Sequence, residues 1–168
     1  MFRKHLVALL TAITLAVPAA AMAQRLVYVV RHAERADGGM PPAGVAKPDP
    51  PLSEAGKARA DKLASMLAIS GVTAIYVTEY VRTQQTAAPL AAALKLRPAV
   101  IPSSGTADLV ARLKADHRND IVLVVGHSNS VPEIIKALGG PPVTIADDEY
   151  DKLFIVVPAT GAMTVIKY

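Results

Sequence analysis

Residues 26–34 read Leu26-Val27-Tyr28-Val29-Val30-Arg31-His32-Ala33-Glu34: five β-prone apolar residues, then an arginine, a histidine, a small residue and an acid. A strand with no polar alternation is buried on both faces, as in a parallel sheet covered by helices. Arg31 and His32 therefore stand at a strand's carboxyl end, where open parallel sheets build their sites. Residues 35–51 follow with Gly38, Gly39, Gly44 and five prolines. That composition makes a loop, long enough to serve as a site rim.

The same alternation continues down the chain. Ser53 is a plausible N-cap for a helix whose apolar face is Ala60, Leu63, Ala64, Leu67 and Ala68, ended by Gly71. Residues 73–78 form a second apolar strand. Residues 80–94 are helical in pattern, with Pro89 expected to kink or split the helix. A third strand is expected over 98–101 and a helix over 107–115. A fourth strand over 121–125 ends at Gly126, and a helix follows in which Ser130 and Glu133 fit a capping box. Gly139, Gly140, Pro141 and Pro142 stop that helix. Two terminal strands, 153–157 and 163–167, form a hairpin. The pattern is α/β: a three-layer α/β/α sandwich with a mostly parallel central sheet and helices on both faces. No internal repeat or dividing linker is visible.

The first 23 residues differ. Arg3 and Lys4 precede an apolar run over 6–17, and Ala21-Met22-Ala23 is a small-x-small cleavage site. This is the layout of a secretory signal peptide, and the run is short for a bilayer span of about 20 residues. The expected division is a leader over 1–23 and one domain over 24–168. The protein is then exported, periplasmic or secreted, with no membrane span left after cleavage. Cleavage leaves 145 residues and removes two of eighteen basic residues but no acid, so the formal charge falls from +4 to +2. The mean hydropathy of +0.33 is thus inflated by the leader. A charge of +2, with no basic stripe interleaved with aromatics, gives no argument for nucleic acid. With no cysteine in 168 residues, disulfide frameworks, thiolate metal sites and thiol nucleophiles are excluded.

Three strand ends carry reactive residues: Arg31-His32-Ala33-Glu34, Thr78-Glu79-Tyr80-Val81-Arg82-Thr83 and Gly126-His127-Ser128-Asn129. Two histidines and two arginines thus converge on one sheet edge. Guanidinium groups fit phosphate as planar forks of donors, and the helix N-terminus after His127 favours an anion. Imidazole can form a covalent intermediate. Together they suggest phosphoryl transfer through a phosphohistidine. No HExxH or similar ligand cluster calls for a metal, and no other cofactor is implied.

These segments resemble the histidine phosphatase superfamily, which includes the phosphoglycerate mutases. Arg31-His32-Ala33-Glu34 is similar to its RHG/RHA signature, and Leu52-Ser53-Glu54-Ala55-Gly56 to its L-T/S-x-x-G segment. Residues 78–87 resemble its S-x-x-x-R-T-x-x-T-A segment, and Val125-Gly126-His127-Ser128 its second-histidine strand end. The resemblance covers residues 26 to about 138. It implies the phosphoglycerate mutase-like fold, His32 as nucleophile, Arg31 and Arg82 as a phosphate clamp, and His127 as a donor to a phosphate oxygen. Ser128 is added as a binding residue. It stands where the acid phosphatase and phytase branch has Asp, so that branch is disfavoured. The insertion that carries the mutases' proton-donor Glu is missing, so the general acid is unassigned; Asp108, Glu34 and Glu79 are candidates.

The implied activity is metal-independent phosphomonoester hydrolysis. The substrate is a small-molecule or glycan phosphomonoester, such as a phosphorylated envelope sugar, or any of many in general scavenging. A catalytically weak phospho-ligand binder and a phosphomutase are the alternatives. A serine hydrolase is disfavoured: residues 126–130 imitate G-x-S-x-G, but the last position is Ser130 and no histidine follows Ser128. Bland readings are available too. Glu34 could pair with Arg35 or a lysine, Glu133 could serve the capping box, and His117 could be solvated. Oligomeric state is not legible.

Overall fold

The computed structural model describes residues 26–39 and 49–168. The expected leader over 1–23 and most of the Pro-rich segment lie outside the described residues. Six strands and four helices follow in the order β1 (Leu26–Arg31), α1 (Glu54–Leu67), β2 (Val72–Val77), α2 (Val81–Leu94), β3 (Ala99–Val100), α3 (Thr106–Asp116), β4 (Ile121–Gly126), α4 (Ser130–Ala137), β5 (Lys152–Val157) and β6 (Ala162–Lys167). They form one sheet in the order β3-β2-β4-β1-β5-β6. The first four strands pair in parallel. β5 and β6 close one side as an antiparallel hairpin. The observed architecture is the expected α/β one, with the sheet mixed by its terminal hairpin.

The uniform apolarity of β1 and β4 has a direct structural cause, because each lies at the middle of the sheet and buries both faces. Val27, Val29, Val122 and Val124 pack under Leu109 and Leu113 of α3 and Val131, Ile134 and Ile135 of α4. Val30, Leu123 and Val125 face the other way, under Leu63 and Leu67 of α1 and Leu90 of α2. Each leucine, isoleucine or valine so buried contributes about 1.5–3 kcal/mol, and neither helix pair would be stable without this packing.

The entry to α1 is built against the loop that follows β1. Ser53 caps the helix by accepting from the Gly56 N–H at 3.1 Å. Ser53 N–H donates to the Glu34 carbonyl at 2.9 Å. Gly56 then lies so close that a Cβ there would collide with that same carbonyl oxygen. The contact explains the glycine of Leu52-Ser53-Glu54-Ala55-Gly56: any side chain would push α1 off the residues around His32.

Four local expectations are corrected. Pro89 does not split α2, which runs unbroken to Leu94. The lost N–H bond costs about 3 kcal/mol, and burial of Ala87, Leu90 and Ala91 on either side of Pro89 holds the helix together. Ser130 is not an N-cap: Asn129 holds that position without a side-chain bond. The Ser130 hydroxyl instead accepts from the His127 N–H at 3.0 Å, so the capping box with Glu133 does not form. His117 is not solvated, since its Nδ1 meets Asp120 Oδ2 at 2.7 Å and its Nε2 meets the Tyr76 hydroxyl at 2.8 Å. The third strand shrinks to two residues at the sheet edge. Among the described residues no helix is long and apolar enough to cross a membrane.

Candidate active site

The carboxyl ends of β1, β4 and β2 open into a cleft of about 500 Å3. It is lined by Arg31, His32, Arg82, His127 and Ser128 from the strand ends and the start of α2. The topology enforces this meeting. Arg31 pairs with Gly126 in the parallel ladder, and the His32 N–H continues it by donating to the Gly126 carbonyl at 2.9 Å. The two imidazoles consequently meet edge to face with ring centroids 5.3 Å apart.

His32 is buried, 3% exposed, and its Nδ1 lies 2.8 Å from the Ala33 carbonyl oxygen. A carbonyl can only accept, so Nδ1 carries the proton and Nε2 keeps its lone pair. Burial pulls the pKa of His32 down to about 3, and the nearby Arg82 charge adds to the effect. His127 is pulled down to about 4, again by burial first and Arg82 second. Both rings are neutral near pH 7.

Two threonines of α2 explain the pattern of residues 82–86. Thr83 Oγ accepts from the Thr78 N–H at 3.2 Å and lies 3.0 Å from the Thr78 hydroxyl, which in turn meets His127 Nε2 at 3.0 Å. Thr86 donates to the Arg82 carbonyl at 2.7 Å and accepts from the Ala33 N–H at 2.9 Å. One threonine thus braces the His127 side of the cleft and the other braces the loop behind His32.

Both arginines expected to clamp phosphate are buried, Arg31 at 8% and Arg82 at 9% exposure. Desolvation lowers both guanidinium pKa values from the ordinary level, and each group is held on a ring. Arg31 stacks on Tyr150 at 4.0 Å and Arg82 on Tyr80 at 4.1 Å. Arg82 Nη1 also meets Asp49 at 3.4 Å, and its Nη2 lies 3.5 Å from His127 Nδ1. A third arginine, Arg35, lines the cleft and pairs with Asp37. The Nε groups of Arg31, Arg35 and Arg82 are buried and bond to no group of the described residues. Three guanidinium groups around one cleft give it a positive potential that favours an anion.

The acidic candidates are not gathered with these groups. Glu34 turns away to Arg59, which donates to it at 2.6–2.9 Å and holds its pKa below the ordinary value against the effect of burial. It pairs with neither Arg35 nor a lysine. Glu79 accepts from Ser103 N–H and Oγ at 2.7 and 2.8 Å and is also lowered, by these bonds against burial. Asp108 is exposed in the first turn of α3, outside the cleft lining. The carboxylate that does line the cleft is Asp147, from the loop before β5. Sequence reading also missed Arg35, Tyr80, Tyr150, Ser103, Ser104 and Asn129 as lining residues, and Asp49 as the cap of α2. The Asp49 carboxylate accepts from the Val81 N–H at 3.0 and 3.1 Å. Among the described residues no group of three or more His, Cys, Asp or Glu side chains gathers as a metal site.

The depressed histidines link the site to stability. The folded chain keeps them neutral while the unfolded chain protonates them near the ordinary 6.5. The unfolded state therefore binds more protons between pH 6.5 and the folded values, and stability falls as pH drops through that window. By proton linkage the loss at pH 4 is about 2–3 kcal/mol for each histidine. Urea titrations of the wild type and of His32→Asn from pH 7 to pH 4 check this. The variant is expected to lose less stability; parallel curves contradict the assignment.

The family model of the histidine phosphatase superfamily (branch 1) matches residues 27–103, a span that includes Arg31, His32 and Arg82. No curated protein matches the chain. Solved structures share its fold at low identity. One is described as an alpha-ribazole-5'-P phosphatase from Escherichia coli, with 16% identity over 86% of this chain and 97% of that one, TM-score 0.68. The protein histidine phosphatase SixA, complexed with tungstate, is 19% identical over 84% of this chain and 96% of that one, TM-score 0.62. A mycobacterial glucosyl-3-phosphoglycerate phosphatase, in complex with VO3, is 16% identical over 86% of this chain and 98% of that one, TM-score 0.62.

Proposed function

We propose that this chain, whose family match and phosphatase neighbours support a phosphatase of the histidine phosphatase superfamily, hydrolyses phosphomonoesters through a phosphohistidine on His32. The observation that carries the reading is the Nδ1 contact with the Ala33 carbonyl, which leaves Nε2 unprotonated in a cleft flanked by buried arginines. Nε2 attacks phosphorus, a P–N bond forms and the P–O bond to the leaving group breaks. Arg31 and Arg82 hold the non-bridging oxygens and stabilise the charge that builds on them. His127, held at Nε2 by the Thr78 hydroxyl at 3.0 Å and flanked at Nδ1 by Arg82 at 3.5 Å, stands beside the same oxygens and donates to one of them as charge builds. Water then attacks phosphorus, breaks the P–N bond and releases inorganic phosphate.

The leaving oxygen takes its proton from water at the open mouth. Glu34 and Glu79 are ionised by their partners, and Asp108 stands outside the cleft. Without a side-chain acid, esters with good leaving groups turn over fastest, and a phosphorylated envelope sugar or a scavenged alkyl phosphomonoester, whose alkoxide leaves poorly, turns over more slowly. Ser128, at the mouth, adds a hydroxyl for binding. The same open mouth admits a bulky substrate.

The test is turnover of p-nitrophenyl phosphate with and without EDTA. Activity that survives EDTA is expected, together with an acid-labile, base-stable phosphoryl label after acid quench. Activity lost with EDTA, or a base-labile label, overturns the mechanism. Vanadate binding without turnover supports a phospho-ligand binder instead. We also propose that residues 1–23 direct export and are cleaved after Ala23. N-terminal sequencing of the exported protein checks this, and a chain that still begins at Met1 contradicts it.

A further inference from the structure

We infer that the loop of residues 146–150 is the positioning device for Arg31, with Tyr150 as its principal side chain. The inference rests on the reading of Arg31 as part of an oxyanion clamp. One nitrogen of Arg31, Nη1, donates to three backbone carbonyls of this loop: Ala146 and Asp147 at 2.9 Å and Glu149 at 3.1 Å. The Tyr150 ring lies 4.0 Å from the guanidinium carbon. The loop is itself braced. Ala146 N–H donates to Glu149 Oε2 at 2.9 Å, Glu149 N–H returns a bond to the Ala146 carbonyl at 3.1 Å, and Glu149 pairs with Lys152 at 2.6 Å.

The partners of Arg31 differ in kind from those of its neighbours. Arg82 meets the Asp49 carboxylate, Arg35 meets Asp37 and Arg59 meets Glu34. Among the described residues Arg31 makes no such ion pair; three carbonyl dipoles and a ring face hold it. The distinction has a physical consequence. A carboxylate fixes a guanidinium by neutralising it, and then competes with an incoming phosphate dianion. Dipoles and a ring quadrupole fix its orientation and leave its charge intact for the ligand. The loop contacts use Nη1 and one face of the plane. The rest of the guanidinium carries no bond to the described residues and is free to turn its donors to an oxyanion. Tyr150 also lines the cleft, its ring centroid 6.0 Å from that of His32, and its effect is assigned to Arg31, as that of a positioning residue.

The test uses the full chain with p-nitrophenyl phosphate as substrate and orthovanadate as the oxyanion probe. Tyr150→Leu removes the ring and keeps an apolar side chain. It is expected to weaken vanadate binding and lower kcat/KM by about tenfold, the scale of a desolvated cation–π contact. Tyr150→Phe is expected to recover most of that loss. In an Arg31→Ala background, Tyr150→Leu should weaken vanadate binding no further. Should Tyr150→Leu fail to fold, Glu149→Ala releases the loop's internal brace and is expected to shift vanadate affinity in the same direction. Unchanged vanadate affinity in the folded Tyr150→Leu chain overturns the inference. So does an equal loss with and without Arg31, which would make Tyr150 a direct wall of the substrate site. A wild-type chain that neither turns over the ester nor binds vanadate defeats the phosphatase reading itself, and this inference with it.

Discussion

Replacing His32 by alanine is expected to abolish phosphomonoester turnover, a fall of roughly 10,000-fold or more, as when a covalent nucleophile is lost elsewhere. The expectation follows from how little else in the cleft can attack phosphorus. The chain has no cysteine. His127 has both nitrogens engaged, with Thr78 at 3.0 Å and beside Arg82 at 3.5 Å. Among the described residues, His32 alone combines a nitrogen whose proton state is fixed by a carbonyl with a second nitrogen left unprotonated. The same substitution should eliminate the acid-labile label while leaving vanadate binding measurable, because the arginines remain. It should also reduce the acid sensitivity of folding, since a ring forced to stay neutral has been removed. Turnover within tenfold of wild type would remove His32 as the nucleophile; retained vanadate binding separates lost chemistry from lost structure.

The fold and the middle of the site are legible in the sequence because both depend on patterns along the backbone. Uniform apolarity over residues 26–30 and 121–125 requires burial on both faces, and that fixes parallel strands under helices. Parallel strands put their carboxyl ends at one sheet edge, and the adjacency of β1 and β4, which the structure supplies, brings Arg31, His32 and His127 together. Arg82 follows from its place one residue into α2. The local motifs were readable as resemblance, and only the structure supplies their physical causes. Thr86 bonds the Ala33 N–H, Thr83 braces Thr78, and Gly56 leaves room for the Glu34 carbonyl.

What was not legible depends on side chains that meet across long stretches of chain. Asp49 caps a helix that begins thirty-two residues later. Glu34 finds Arg59 on the next helix, because both face the same side of the loop. Ser130 and Glu133 have capping-box spacing, yet Ser130 is already inside α4 and its hydroxyl is taken by the His127 N–H. Tyr150 and Asp147 sit in a loop whose only cue is a cluster of acids before a strand. Nothing in that cue points to a guanidinium on β1, more than a hundred residues earlier.

Arg82→Ala is expected to lower kcat/KM by about 100- to 1,000-fold, the range for removing one preorganised donor from a buried oxyanion site. The structure gives three reasons why the loss belongs at the upper end. Arg82 is buried and charged, so its hydrogen bonds to an anion are made where water does not screen them. Its Nη2 stands 3.5 Å from His127 Nδ1, so removing it also takes away the group that steadies that ring beside the cleft. Its removal also leaves the Asp49 carboxylate unpaired beside the cleft, repelling the phosphate that Arg82 would have attracted. That last contribution can be separated from the others. Adding Asp49→Asn to Arg82→Ala should recover part of the loss, whereas Asp49→Asn alone weakens the α2 cap. Arg82→Lys keeps the charge but loses the planar fork and the stacking on Tyr80, and should recover only part of the activity. Steady-state kinetics on p-nitrophenyl phosphate across these four variants decide the matter. Arg82→Ala within threefold of wild type would show that the phosphate sits on Arg31 and Arg35 instead, and would place the leaving group on the Tyr80 side of the cleft.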